Sequence, residues 1–390
     1  MRFSERTNWN LEENEFARAL REARVDGREL LDLTVSNPTA CGFAYASESL
    51  LAPLSDERAL LYEPEALGMV RGREAVAQYY RDAGAEVGID RICPSIDQIC
   101  LTTSTSEAYS FLFRLLCDPG DEVLIARPSY PLFEFLAEMD DVKLVEYPLV
   151  YDHGWQIDLH ALEAACTERA RAVVVVHPNN PTGNFASESE RVALQEICAR
   201  FGLALIVDEV FLDYAVEGVE ARSFAVGVCK ALTFVLSGLS KVCALPQMKV
   251  SWIAAAGPDW MVGEAMERLE VIADTFLSMN APMQFALSQW LASRGDMQGQ
   301  IRGRVAANLR ALDARLAGTQ AERMEMQGGW TAVVRVPRHV EGVEFVAAAL
   351  ARGVVVQPGS FYGLPEGRVV VSLLTPVETW KRGLALLPVD

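Results

Sequence analysis

The chain has 390 residues, 51% apolar and 23% charged, a balance ordinary for a globular protein. Its formal net charge of −18 argues against a surface for nucleic acid or an anionic membrane, though not against a small anion held by a local site. No run is long and apolar enough to span a bilayer, and the start, "MRFSERTNWNLEENEF", lacks the apolar core of a signal peptide.

At this length two domains, or one large domain with a lobe, are expected. The eight cysteines (Cys41, Cys93, Cys100, Cys117, Cys166, Cys198, Cys229, Cys243) are scattered with no CxxC pair. The four histidines (His153, His160, His177, His339) are equally dispersed. Both facts argue against a disulfide framework or a metal site, and they suit a cytoplasmic protein with reduced thiols.

In chain order, residues 72–84 ("GREAVAQYYRDAG") have helical spacing, and "SEAYSFLFRLLCDPGDEVLIARPSY" reads as helix, turn and strand. Short apolar runs follow: "RAVVVVHP", "LALIVDEV" and "LTFVLSG". Such runs between amphipathic helices predict buried strands of a largely parallel sheet. Beyond about residue 258 the texture changes. "DWMVGEAMERLEVIADTF" and "APMQFALSQWLASRGDMQGQIRGRVAANLRALDARLAG" read as long helices. Then come "WTAVVRVP", a helix near 341–352, "VVVQPG", "RVVVSLL" and a last helix near 376–386. The expected organisation is a large α/β domain over 48–280 and a smaller α+β domain from residues 1–47 and 281–390.

In an open α/β sheet, ligands sit at the carboxyl ends of strands. Four runs end in polar residues: "TTSTSEA" after "ICL", "HPNNPTGN" after "VVVV", "DEVF" after "LALIV" and "SGLSK" after "LTFVL". Each has a plain reading. "NNPTG" is a turn sequence in any loop, "DE" can be a helix cap, and a lone Lys241 reads as a surface lysine. "TSTSEA" is a helix N-cap, and a hydroxyl-rich helix start is also an anion cradle.

Taken together and in order, these segments resemble the fold-type I pyridoxal-phosphate enzymes, specifically the class I/II aminotransferases similar to aspartate aminotransferase. The resemblance runs over nearly the whole chain. It rests on "YEPEALGMVRGREAVAQYY", "TSTSEA", "DPGDEVLIARPSYPLFEF", "NNPTGN", "VDEVF", "SGLSK" and "VVVQPGSFYG". It implies a mostly parallel seven-stranded sheet flanked by helices in the large domain, pyridoxal 5'-phosphate as cofactor, and a homodimer. The implied reaction moves an amino group between an amino acid donor and a 2-oxo acid in two half-reactions.

The same resemblance implies roles residue by residue. Lys241 matches the lysine that forms a Schiff base with the cofactor and later moves the substrate proton, Asp208 the partner of the pyridine nitrogen. Asn180 matches the amide that meets the ring oxygen and the substrate, and Tyr130 the stacked aromatic. Ser104, Thr105, Ser240 and Lys249 fall at phosphate-binding positions, and Tyr62 matches a tyrosine that reaches the phosphate from the neighbouring subunit. Asn37 lies where the N-terminal segment closes over substrate, or else forms a turn before Pro38.

Three positions depart from the family pattern. Phe211 stands where a tyrosine usually donates to the ring oxygen, so the lysine-bound cofactor should hold its proton to higher pH. Lys249 replaces an arginine of the phosphate clamp, which keeps the charge but loses the planar fork. Val370 falls where an arginine usually binds the substrate carboxylate, leaving Arg368, on the same strand face, as a shifted anchor or simply an arginine at a strand start. These changes leave room for another enzyme of the same fold, such as a lyase, decarboxylase or oxidase, or for a relative that binds the cofactor without catalysis. Trp330, Phe361 and Tyr362 read either as an apolar pocket wall or as packing of the smaller domain.

Overall fold

The computed structural model describes residues 1–86, 93–277, 279–337 and 340–389, so His339 lies outside the described residues. An eight-stranded sheet runs through the larger part of the chain. Its spatial order is Ile99–Thr102, Ser251–Ala256, Thr233–Gly238, Ala204–Asp208, Ala170–Val176, Glu122–Arg127, Lys143–Tyr151 and Trp155–Ile157. The five strands from Thr233–Gly238 to Lys143–Tyr151 pair in parallel, whereas Ser251–Ala256 is antiparallel to both its neighbours. The eighth strand, beyond the seven expected, is a three-residue return that hairpins onto the edge at Leu149–Tyr151.

The continuous apolar runs are explained by helices on both faces. Val173 and Val175 pack into the cluster that holds Val76, Tyr80 and Leu194. Val174 and Val176 face the opposite cluster, with Phe111, Leu112 and Leu269. A strand buried on both sides has no polar face to alternate with.

Beyond the large sheet, Glu322–Arg323, Thr331–Arg335, Arg368–Ser372 and Gln357–Pro358 form a four-stranded antiparallel sheet. The helices Arg294–Leu316, Gly342–Ala351 and Val377–Leu386 share a core with it around Trp330, Phe345, Leu312 and Trp380. The N-terminal segment joins this part of the chain: Leu31–Asp32 pairs in parallel with Val354–Val355, and Ser372 Oγ donates to the Val35 carbonyl at 2.7 Å.

One expected helix is interrupted. The stretch after Asn280 forms two helices, Ala281–Ala292 and Arg294–Leu316, which part at Ser293. The Ser293 hydroxyl donates to the carbonyls of Gln289 (3.0 Å) and Trp290 (3.3 Å), competing with the helical ladder at that point.

Candidate active site

A cavity of about 420 Å³ opens at the carboxyl ends of the central strands, where an open α/β sheet binds its ligands. Asp208 closes the strand Ala204–Asp208, and its neighbour Thr233–Gly238 ends in Gly238, three residues before Lys241. The chain turns sharply there into the one-turn helix Leu239–Val242. The turn requires a glycine because of close approach: a Cβ at position 238 would meet the Ser251 Oγ and lie 2.9 Å from the Val250 carbonyl oxygen.

Asp208 is buried, and burial lifts its carboxyl to about 6. The lift is opposed by the Val210 N–H, which donates to Oδ1 at 3.1 Å, and by the Tyr109 hydroxyl, which donates to Oδ2 at 3.2 Å. Lys241 opposes it electrostatically as well. Burial acts in the other sense on Lys241, holding its ammonium below the ordinary lysine value, with Asp208 partly restoring it. The pair therefore holds a carboxyl raised by burial and an ammonium lowered by it in one low-dielectric space. Glu209, beside Asp208 in sequence, does something else. It accepts from the Ser223 hydroxyl and the Phe224 N–H, both at 2.6 Å, away from the cavity.

Two aromatic rings crowd Lys241: its Nζ lies 5.6 Å from the Phe211 ring centre and 5.3 Å from that of Trp330. Those rings pack edge to face at 5.3 Å. Tyr214 does not stand in for the missing phenol. Its hydroxyl donates to the Lys241 carbonyl at 2.6 Å and so props the backbone of the lysine turn.

At the sheet end of the cavity, Ser104 caps the helix Thr105–Leu116, its hydroxyl accepting from the Glu107 N–H at 3.1 Å. Ser104, Thr105 and Ser106 line the cavity there together with Ser240, Ser251 and Lys249. A helix start, hydroxyl groups and an ammonium make a site for a phosphate. Lys249 holds a left-handed backbone (φ 51°, ψ 54°), uncommon for a residue with a side chain. Tyr130 lines the wall, and its ring meets Phe133 edge to face at 6.4 Å.

Asn180 also lines the cavity, and its side-chain oxygen is buried with no hydrogen-bond partner among the described residues. A buried polar atom left this way has bonding capacity that a ligand can use.

The structure therefore brings together Lys241, Asp208, Asn180, Tyr130, Ser104, Thr105, Ser240 and Lys249. It leaves three expected residues off the cavity lining. Tyr62 is 80% exposed on the surface of the chain. Asn37 caps a short helix, its side-chain oxygen accepting from the Thr39 N–H at 3.1 Å and hydroxyl at 2.8 Å. Arg368 sits directly across from Arg335 and donates to the Glu366 carbonyl at 2.5 Å. Sequence reasoning missed Tyr109. Its signal was a phenol inside the apolar run "AYSFLF", since a buried tyrosine hydroxyl must find a partner.

The model for "Aminotransferase class I and II" matches residues 60–381. The chain belongs to that family. Among curated members, it is 27% identical to the glutamate–pyruvate aminotransferase AlaA of Haemophilus influenzae over 262 residues, covering 67% of this chain and 63% of that protein. It is 29% identical to the alanine aminotransferase of Mycobacterium bovis over 266 residues, 67% of this chain and 60% of that one. The aligned stretch thus spans less than two thirds of either relative.

Solved structures agree on the fold over nearly the full length. The alanine aminotransferase of Pyrococcus furiosus superposes with a TM-score of 0.86 at 24% identity, over 98% of both chains. A mutant aspartate aminotransferase of Thermus thermophilus gives 0.83 at 23% identity, over 99% of this chain and 98% of that one.

Class I and II aminotransferases use pyridoxal 5'-phosphate, and the residues of this aminotransferase-family cavity fit that group. The Asn180 amide on the cavity wall, the buried Asp208 carboxyl, the glycine-dependent turn before Lys241 and the hydroxyl-rich helix start with Lys249 supply what its ring and phosphate would need.

Proposed function

We propose that the protein is a pyridoxal-phosphate-dependent aminotransferase. The observation that carries this reading is the meeting of Lys241 and Asp208 at the ends of adjacent strands in one buried cavity, beside the unpartnered Asn180. The donor gives up its C–N bond and the hydrogen on the same carbon, and leaves as a carbonyl compound whose oxygen comes from water. The nitrogen and two electrons pass to the acceptor, whose carbonyl oxygen leaves as water. The relatives are named for amino acids and an oxo acid, so an amino acid and a 2-oxo acid are the first pair to assay.

In this reading Lys241 Nζ is the covalent attachment point. Its amine would take the proton from the donor's amino-bearing carbon, a task suited to an amine held below its ordinary pKa. Asp208 would hold positive charge on the ring nitrogen, and the Asn180 amide N–H would donate to the ring oxygen. Ser104, Thr105, Ser240 and Lys249 would hold the phosphate, and Tyr130 would flank the ring. Pyridoxal phosphate supplies, when bound, an electron sink for the pair left behind by the departing proton.

We further propose a homodimer in which the exposed Tyr62 of one subunit reaches the phosphate of the other. A run of exposed apolar residues at Leu60, Leu61 and Tyr62 supports it. A cytoplasmic location fits the scattered cysteines.

Borohydride reduction of the cofactor-loaded protein, followed by peptide mass spectrometry, should place the label on Lys241. An amino donor added without acceptor should then abolish the visible band of the lysine-bound cofactor. A band that persists while ammonia, carbon dioxide or peroxide accumulates would rule out transamination.

A further inference from the structure

The charges around the cavity are few. Among the described residues, Asp208 is the carboxylate that lines it, and Lys241 and Lys249 are its cations. Each has a task in the reading above: Lys241 in attachment, Lys249 at the phosphate, Asp208 at the ring nitrogen. Within one subunit, no lining cation among the described residues is left over for a second anion.

The wall opposite the large sheet is formed by the antiparallel sheet, and it is neutral. Thr331 at the start of one of its strands, Trp330 just before it and Tyr362 in the short helix after Gln357–Pro358 line the cavity. Behind them Val370, 1% exposed, pairs with Val333 on one side and Gln357 on the other. The nearest arginines of that sheet, Arg335 and Arg368, form the cross-strand pair two residues further along, about 6–7 Å away. Arg335 is engaged by Glu322, and Arg368 donates to the Glu366 carbonyl and keeps its Nε buried without a partner among the described residues, off the cavity lining. Phe211 from the large-sheet side and Trp330 from the opposite wall flank Lys241 with their rings. A carboxylate bound beside the lysine would lose its water against aromatic surface with no cation to replace it.

We infer that the site takes amino donors whose amino-bearing carbon carries an uncharged group, such as an alcohol or a carbon chain, in place of a free carboxylate. The carbonyl acceptor, which uses the same cavity, is of the same kind. The inference rests on the aminotransferase reading and replaces the amino acid and 2-oxo acid named there with counterparts that lack the carboxylate. The exchange itself is unchanged: the donor amine becomes a carbonyl compound, and the acceptor carbonyl becomes an amine.

The test compares 2-amino-2-methylpropan-1-ol with 2-aminoisobutyrate on the cofactor-loaded protein. These differ in hydroxymethyl against carboxylate, their amines titrate close together, and neither has a hydrogen on the amino-bearing carbon, so binding is read alone. Calorimetry should find the alcohol at least about tenfold tighter. The half-reactions of L-alaninol and L-alanine, followed by loss of the visible band, should rank the same way. The Val370→Arg variant should swing the preference toward the acid by about tenfold or more, and the comparison on the parent protein stands even if that variant does not fold. Tighter binding and faster reaction of the acid on the parent protein would overturn this inference and leave the aminotransferase reading intact. If neither donor changes the band, both readings fail together.

Discussion

The Tyr109 hydroxyl donates to Asp208 Oδ2 at 3.2 Å, joining the first helix at the cavity floor to the strand end that carries the buried carboxylate. Tyr109 also meets Phe133 edge to face at 5.0 Å, and Phe133 meets Tyr130. One aromatic chain thus links Tyr130 on the cavity wall to the buried Asp208 carboxyl.

Removing that donor should be felt at Asp208. Tyr109→Phe leaves the ring packing and deletes a bond to the ionised carboxylate, so the carboxyl should rise further above about 6. Equilibrium dialysis of the cofactor-free variant should show pyridoxal phosphate bound more weakly by about 1 kcal/mol, with the deficit growing as pH falls toward 6. An affinity equal to that of the parent across that range would detach Tyr109 from the site.

Asp208 also makes stability depend on pH. Its carboxyl is raised from 3.8 to about 6 by burial, so between those values the native state holds a proton that the unfolded chain has lost. Stability contributed by this group therefore falls as pH rises through that window, and the deficit is constant above it. Asp208→Asn should stabilise the cofactor-free protein at pH 8 by about 1–3 kcal/mol, and by less at pH 5, while abolishing tight cofactor binding. Denaturant unfolding at the two pH values measures this, and an equal gap at both would contradict it.

Gly238 is set by contact rather than by backbone angle. A methyl group there would press on the Ser251 Oγ and the Val250 carbonyl and would push the lysine turn off its strand. Gly238→Ala should cost about 1–3 kcal/mol of stability and lower the fraction of Lys241 labelled by borohydride. Full labelling with an unchanged melting temperature would show that the turn tolerates the methyl group.

Phe211 leaves the ring oxygen with Asn180 as its expected donor. Phe211→Tyr, which adds a hydroxyl beside Lys241, should lower the pH at which the lysine-bound cofactor's visible band titrates. Spectrophotometric titration of the two loaded proteins reads the difference directly. A midpoint that stays put would mean that the Trp330 ring, packed at 5.3 Å, turns the new hydroxyl away.

By itself the sequence determined the elements and most of the local chemistry. An apolar run and the turn that follows it are contiguous in the chain, so Asp208, Lys241, Asn180 and Ser104 could each be placed at a strand end from neighbouring residues alone. Folding decided which of them meet, because contacts between strands and across domains carry no local signature. Tyr109 and Asp208 lie 99 residues apart in the chain. Trp330 reaches Lys241 from a different sheet, and the serine-broken helix at Ser293 looks continuous by periodicity. The sequence shows Val370 as a substitution in a strand. Only the packed sheet shows it buried against Val333, with the arginine pair two residues beyond, because cross-strand register fixes which side chains a ligand can reach.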